Sequence, residues 1–297
     1  MKAVNRHFRG FMKEAMGKKP TAEAGVPGCP NRSDGGSDSR WFHWPEYLME
    51  AGELGLFMFS VCVLATLFRH PSSPVSHLVV GELARRLFIG LATGAMVVMI
   101  VLAPWGKQSG GHFNPAITFT FFRLGKVYAW DAVFYCVAQF AGAVSGVMLA
   151  VYLLRGAPAH DQVRYAMTVP GRFGTVAAFL AEFAISFTLM TTILYATNHP
   201  AYARFTPYLV GAQYALYITF ETPLSGMSMN PARTFGPAFH ASYWHALWIY
   251  FVAPTLGMLV SGEVFLYCRD GLRPYCAKLY HAPDKGCIFR HDGPAVA

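Results

Sequence analysis

Two asparagines carry the most distinctive chemistry in this chain. Asn114 stands in SGGHFNPAITF (residues 109–119) and Asn230 in SGMSMNPARTF (225–235), windows that share Ser, Gly, Asn, Pro, Ala, Thr and Phe at matching positions. An asparagine side chain is a strong helix N-cap, and a proline suits the first helical position because its missing N–H would have no intrahelical partner. Asn114-Pro115-Ala116 and Asn230-Pro231-Ala232 therefore each predict a helix start, and Gly110 and Gly226 permit irregular backbone leading into it. A helix N-terminus is positively polarised and disfavours a cation. The carbonyls of 110–113 and 226–229 would offer a ladder of acceptors to a polar solute. The apolar residues that follow, Ala116 to Phe122 and Ala232 to Phe239, are too few to cross a bilayer.

The surrounding chain explains where such short helices would sit. It is 297 residues long, with 54% hydrophobic and 13% charged residues and a positive mean hydropathy, far more apolar than a soluble domain. Six stretches, 47–68, 83–104, 129–154, 174–197, 206–222 and 243–267, have the length and character of membrane spans. They lack the polar faces of a soluble helical protein. Lys and Arg collect on the side that holds both ends of the chain, which the positive-inside rule places in the cytoplasm of a multi-pass membrane protein. The same bias accounts for the net charge of +8, so the expected partner is a lipid bilayer and no nucleic acid.

Residues 1–45 read as a basic, partly disordered region, in which Val4, Phe8, Phe11, Met12 and Ala15 fit either a short helix on the inner leaflet or a frayed tail. No secretory signal is expected. Residues 46–268 form the membrane domain and 269–297 a cytoplasmic tail. The six scattered cysteines do not read as a disulfide framework.

Three spans separate the two asparagine windows, so the second copy is inverted relative to the first. Two half-helices dipping in from opposite faces would then meet N-terminus to N-terminus at the midplane. Glu50 and Glu182 occupy corresponding places in the two halves. Buried acids accepting hydrogen bonds from irregular backbone would be their shared task.

The doubled motif, the six spans and the two span acids resemble the aquaporin or major intrinsic protein family over roughly residues 46–268. The resemblance implies an all-α integral membrane fold, an inverted repeat of six transmembrane helices plus two re-entrant half-helices. It also implies a homotetramer with one pore per subunit, passing water or small neutral solutes while excluding protons. Family constriction positions, counted without gaps from the two asparagines, fall on Gly94, Ile218, Met227 and Arg233. A water-specific member has an aromatic at the first and a histidine at the second, so glycine and isoleucine predict a wider, less polar filter that Met227 partly refills. Thr234, where glycerol facilitators carry aspartate, and the Tyr250-Phe251 pair point back toward water. Water is thus the expected solute, with other small neutral solutes beside it. The alternatives are a facilitator of glycerol, urea, hydrogen peroxide, ammonia or metalloid acids, and a non-conducting scaffold on the same fold. No acid pair or nucleophile with a base suggests an enzyme. No cofactor is expected beyond a zinc ion that Cys276, His281, Cys287 and His291 of the tail could hold.

Overall fold

The computed structural model describes residues 42–282 and 285–290. The N-terminal region up to residue 41, with its proposed surface helix, and His291 lie outside the described residues.

In chain order the helices are α1 (Trp44–Arg69), α2 (Pro74–Leu78), α3 (Glu82–Leu102), α4 (Pro104–Ser109), α5 (Pro115–Arg123), α6 (Ala129–Leu153), α7 (Gly174–Thr197), α8 (Thr206–Phe220), α9 (Thr222–Ser225), α10 (Pro231–Ala241) and α11 (Leu247–Cys268). Among the described residues five helices, α1, α3, α6, α7 and α11, are long and apolar enough to cross a membrane. The expected span 206–222 differs: α8 has 15 residues, about 22 Å of rise, against a hydrocarbon core of about 30 Å. Pro223 at the second position of α9 cannot donate to the α8 ladder, so the chain breaks at Glu221 and continues as one further turn. The first half does the same at Ala103, extended at φ −61° and ψ 155°, with Pro104 opening α4.

The inverted repeat is explicit in this order: α1, α3, α4, α5 and α6 correspond to α7, α8, α9, α10 and α11. α1 packs along α6, α7 along α11, and α3 along α8 across the pseudo-symmetry axis. Small residues set these distances. A Cβ on Gly142 would lie 2.1 Å from the Ala51 carbonyl oxygen, and one on Gly257, its repeat mate, 2.4 Å from that of Phe183. Such close backbone approach replaces the hydrophobic drive that lipid cannot supply. Large apolar side chains such as Leu91, Met99, Trp130, Val137 and Leu180 remain exposed on the outside of the bundle, as lipid contact requires.

Candidate functional site: a pore divided by two asparagines

The loops before α5 and α10 are irregular yet buried except at Gly226, so their backbone N–H groups need partners. Two carboxylates supply them. Glu50 accepts from the His112 N–H at 2.9 Å and the Phe113 N–H at 2.6 Å. Glu182 accepts from the Ser228 N–H at 2.7 Å and the Met229 N–H at 2.8 Å. Both acids are 0% exposed. The halves then diverge: Ser225 Oγ donates to Glu182 at 2.6 Å, whereas Ser109 Oγ turns to Glu53 at 2.6 Å and Gln139 donates to Glu50 at 2.7 Å. Tyr135 and Tyr250 complete each cradle by donating to the carbonyls of Ser109 and Ser225. The residues just before the asparagines, Phe113 and Met229, are held at φ 31° and 55°, a left-handed conformation that costs a bulky side chain energy and persists only when its surroundings over-determine it.

Each asparagine does two jobs. Asn114 Oδ1 caps α5 by accepting from the Ala116 N–H at 2.9 Å, while its Nδ2 donates to the Met229 carbonyl at 2.8 Å. Asn230 Oδ1 caps α10 through the Ala232 and Arg233 N–H groups at 3.0 and 3.1 Å, and its Nδ2 donates to the Phe113 carbonyl at 2.8 Å. Two helix N-termini from opposite halves are thereby stitched together, with Pro115, Ala116, Pro231 and Ala232 in their first turns.

On the side away from the chain ends a cavity of 270 Å³ opens, lined among others by Phe57, Thr93, Tyr214, Ile218, Met227 and Arg233. Gly94 is not part of it, correcting the ungapped count. A Cβ on Gly94 would sit 2.4 Å from the Gly211 carbonyl oxygen, so this glycine faces α8 and serves helix packing. Thr93, one residue earlier, faces the cavity. Thr93 is 1% exposed, and its Oγ1 has no hydrogen-bond partner among the described residues. Arg233 is 8% exposed and is anchored by a 2.9 Å hydrogen bond from Nη1 to the Ala166 carbonyl. Arg69 and Arg86 line the same cavity.

The family model for major intrinsic proteins matches residues 39–266. The chain belongs to the major intrinsic protein family. This channel is similar to nodulin-26 of Glycine max, 34% identical over 192 residues, 63% of this chain and 68% of the relative. It is also similar to aquaporin NIP1-3 of Oryza sativa subsp. japonica, 31% identical over 258 residues, 83% and 84% of the two chains. Among solved structures, an aquaglyceroporin from Plasmodium falciparum shares the fold, with a TM-score of 0.61 and 20% identity over 77% of this chain and 96% of that one. Members of the family are passive channels, and this one is a membrane channel for water or small solutes.

At the opposite end of the channel, the segment after α11 folds back on the first loop. Of the four residues expected to bind zinc, Cys276 and Cys287 meet, with Sγ atoms 3.4 Å apart. Among the described residues no group of three or more His, Cys, Asp or Glu is close enough to hold a metal. The His281 ring lies 5.9 Å from that of Tyr275.

Sequence reasoning missed Thr93, Gln139, Tyr135 and His112. Thr93 had a signal, because Gly90 and Gly94 are four apart, a helix-contact spacing that competes with a lining role for Gly94. Tyr135 and Tyr250 stand at equivalent places in the repeat and could have been paired by it. Gln139 has no such counterpart, since Pro254 holds the matching position in α11.

Proposed function

We propose that this channel conducts water together with small neutral hydroxylic solutes such as glycerol, through a constriction made by Thr93, Ile218, Met227 and Arg233. The observation that carries this reading is the Thr93 hydroxyl, unpartnered among the described residues, in the wall of a cavity whose lining holds Ile218 and Met227 and no histidine. A hydroxyl and a guanidinium in one lining with the apolar Ile218 and Met227 match a solute with polar and carbon edges. Water is small enough for the same path. Cations are disfavoured at the centre, where two helix N-termini and two asparagine amides converge, each amide having a second N–H beyond the one given to the opposite loop. Arg233 adds a fixed positive charge. A charge in a membrane helix centre costs about 2.5 to 3.5 kcal/mol; its place beside a wet cavity and its bond to Ala166 offset that cost. The family's homotetramer, with both chain ends in the cytoplasm of a cell membrane, belongs to the same reading, and no cofactor is required by it.

The test is stopped-flow light scattering of proteoliposomes in a glycerol gradient beside empty vesicles. Faster shrinkage reports water, and faster reswelling reports glycerol. Shrinkage without reswelling would restrict the channel to water, and traces equal to empty vesicles would reject conduction.

A further inference from the structure

The segment after α11 closes over the first asparagine loop. The Leu279 N–H donates to the Gly110 carbonyl at 3.0 Å, and the Ala277 carbonyl bonds His112 Nε2 at 2.8 Å. The Phe289 ring stacks on the His112 imidazole, centroids 5.4 Å apart and planes 14° apart. The Arg290 N–H donates to the Lys126 carbonyl at 2.9 Å. Lys278 donates through Nζ to the Lys107 carbonyl at 2.9 Å and to the Gly286 carbonyl at 2.6 Å. Cys276, Ala277, Leu279 and Phe289 are all buried, and so are Gly110 and His112 beneath them. One carbonyl of the acceptor ladder is thus already taken, and an aromatic ring lies over the loop that leads to Asn114.

Cys276 and Cys287 bracket this segment. Their Sγ atoms are 3.4 Å apart, and neither is in a disulfide. A disulfide needs about 2.05 Å, so a shift of little more than ~1 Å would join them. In a reducing compartment such a pair is a redox sensor rather than a permanent staple.

We infer that Cys276 and Cys287 are a redox-modifiable dithiol that locks the C-terminal segment as a cap over the tail-side mouth of the pore. The oxidant is a hydroperoxide. The sulfur of half-buried Cys287 attacks the O–O bond of hydrogen peroxide, which breaks; Cys287 becomes a sulfenic acid and the departing oxygen leaves as water. The Cys276 sulfur then displaces the sulfenic oxygen, an S–S bond forms, and a second water leaves with the Cys276 proton. Two thiols lose two electrons and one peroxide gains them. A dithiol reductant reverses the step. Closing a loop of this length restricts the released segment and shifts the docked-to-released ratio by roughly 100-fold. A channel whose cap is released half of the time when reduced would then lose roughly 50-fold of its permeability when oxidised.

This inference rests on the conduction reading, and the experiment separates the two. Full-length protein in proteoliposomes is reduced, freed of reductant and treated with stoichiometric hydrogen peroxide. The 276–287 bond is read by peptide mass spectrometry and water permeability by stopped flow, in wild type, Cys276→Ser and Phe289→Ala. The expected result is a 276–287 bond with a large, dithiol-reversible loss of permeability in wild type. Cys276→Ser should keep its reduced-state rate after peroxide, and Phe289→Ala should be faster than reduced wild type. Reduced protein that conducts and is unchanged once the bond forms would overturn the inference while leaving conduction intact. Failure of the bond to form, or an equal loss in Cys276→Ser, would also overturn it. Rates equal to empty vesicles in every state, Phe289→Ala included, would reject the conduction reading and the gate with it.

Discussion

Replacing Glu182 by alanine removes the acceptor for three buried donors at once: the Ser228 N–H at 2.7 Å, the Met229 N–H at 2.8 Å and the Ser225 hydroxyl at 2.6 Å. Each buried donor left without a partner costs about 1 to 3 kcal/mol, so the gross loss is about 3 to 9 kcal/mol before the loop relaxes. At 2 to 4 °C per kcal/mol for a domain of this size, the low end alone lowers the melting midpoint by roughly 6 to 12 °C. Glu182→Gln is the internal control. Its remaining oxygen still serves Ser228 and Ser225, but its amide faces the Met229 N–H, donor against donor, so about one bond is lost, about 1 to 3 kcal/mol. Thermal unfolding in detergent, with water permeability of the same preparations, should rank wild type above Gln above Ala. A Glu182→Ala protein melting within about 2 °C of wild type, with unchanged permeability, would refute the claim that this acid holds the second loop.

Gly94→Ala should lower stability by about 1 to 3 kcal/mol, because its methyl would lie 2.4 Å from the Gly211 carbonyl oxygen; detergent melting checks this. Gly142→Ala should be at least as damaging by the same assay, with a 2.1 Å approach to the Ala51 carbonyl oxygen. Asn230→Ala leaves the Ala232 and Arg233 N–H groups uncapped and unstitches the Phe113 carbonyl. A lost cap alone costs about 1 kcal/mol, and the permeability of proteoliposomes at matched protein content should fall with it.

Much of the fold was legible because its strongest signals are local. The asparagine-proline pairs specify helix starts through their own side chains, and their repetition across three spans determines the inversion. Glu50 and Glu182 were legible because carboxylates in apolar spans need donors, and the only needy donors nearby are those of irregular loops. Gly94 shows where counting fails. The tally back from Asn114 crosses the extended residue Ala103, and a one-residue shift on a helix turns a side chain by about 100°, enough to exchange a pore-facing threonine for a packing glycine. The short α8 was read as a full span because residues 206–220 are almost wholly apolar and the expected span took in Glu221 and Thr222, where α8 has already ended. The C-terminal segment has no period to read: contacts to Gly110, His112 and Lys126, far away in sequence, order it, so spacing alone gave no sign that Cys276 and Cys287 meet.

Thr93 offers the most direct test of the proposed solute path. Wild type and Thr93→Phe, both kept reduced, are compared in the same glycerol-gradient stopped-flow experiment. Wild type should shrink and reswell faster than empty vesicles, whereas Thr93→Phe should still shrink fast but reswell like empty vesicles, because a ring fills the wall where the hydroxyl stood. Equal reswelling in the two proteins, or none in wild type, would contradict the assignment of the constriction to Thr93, Ile218, Met227 and Arg233.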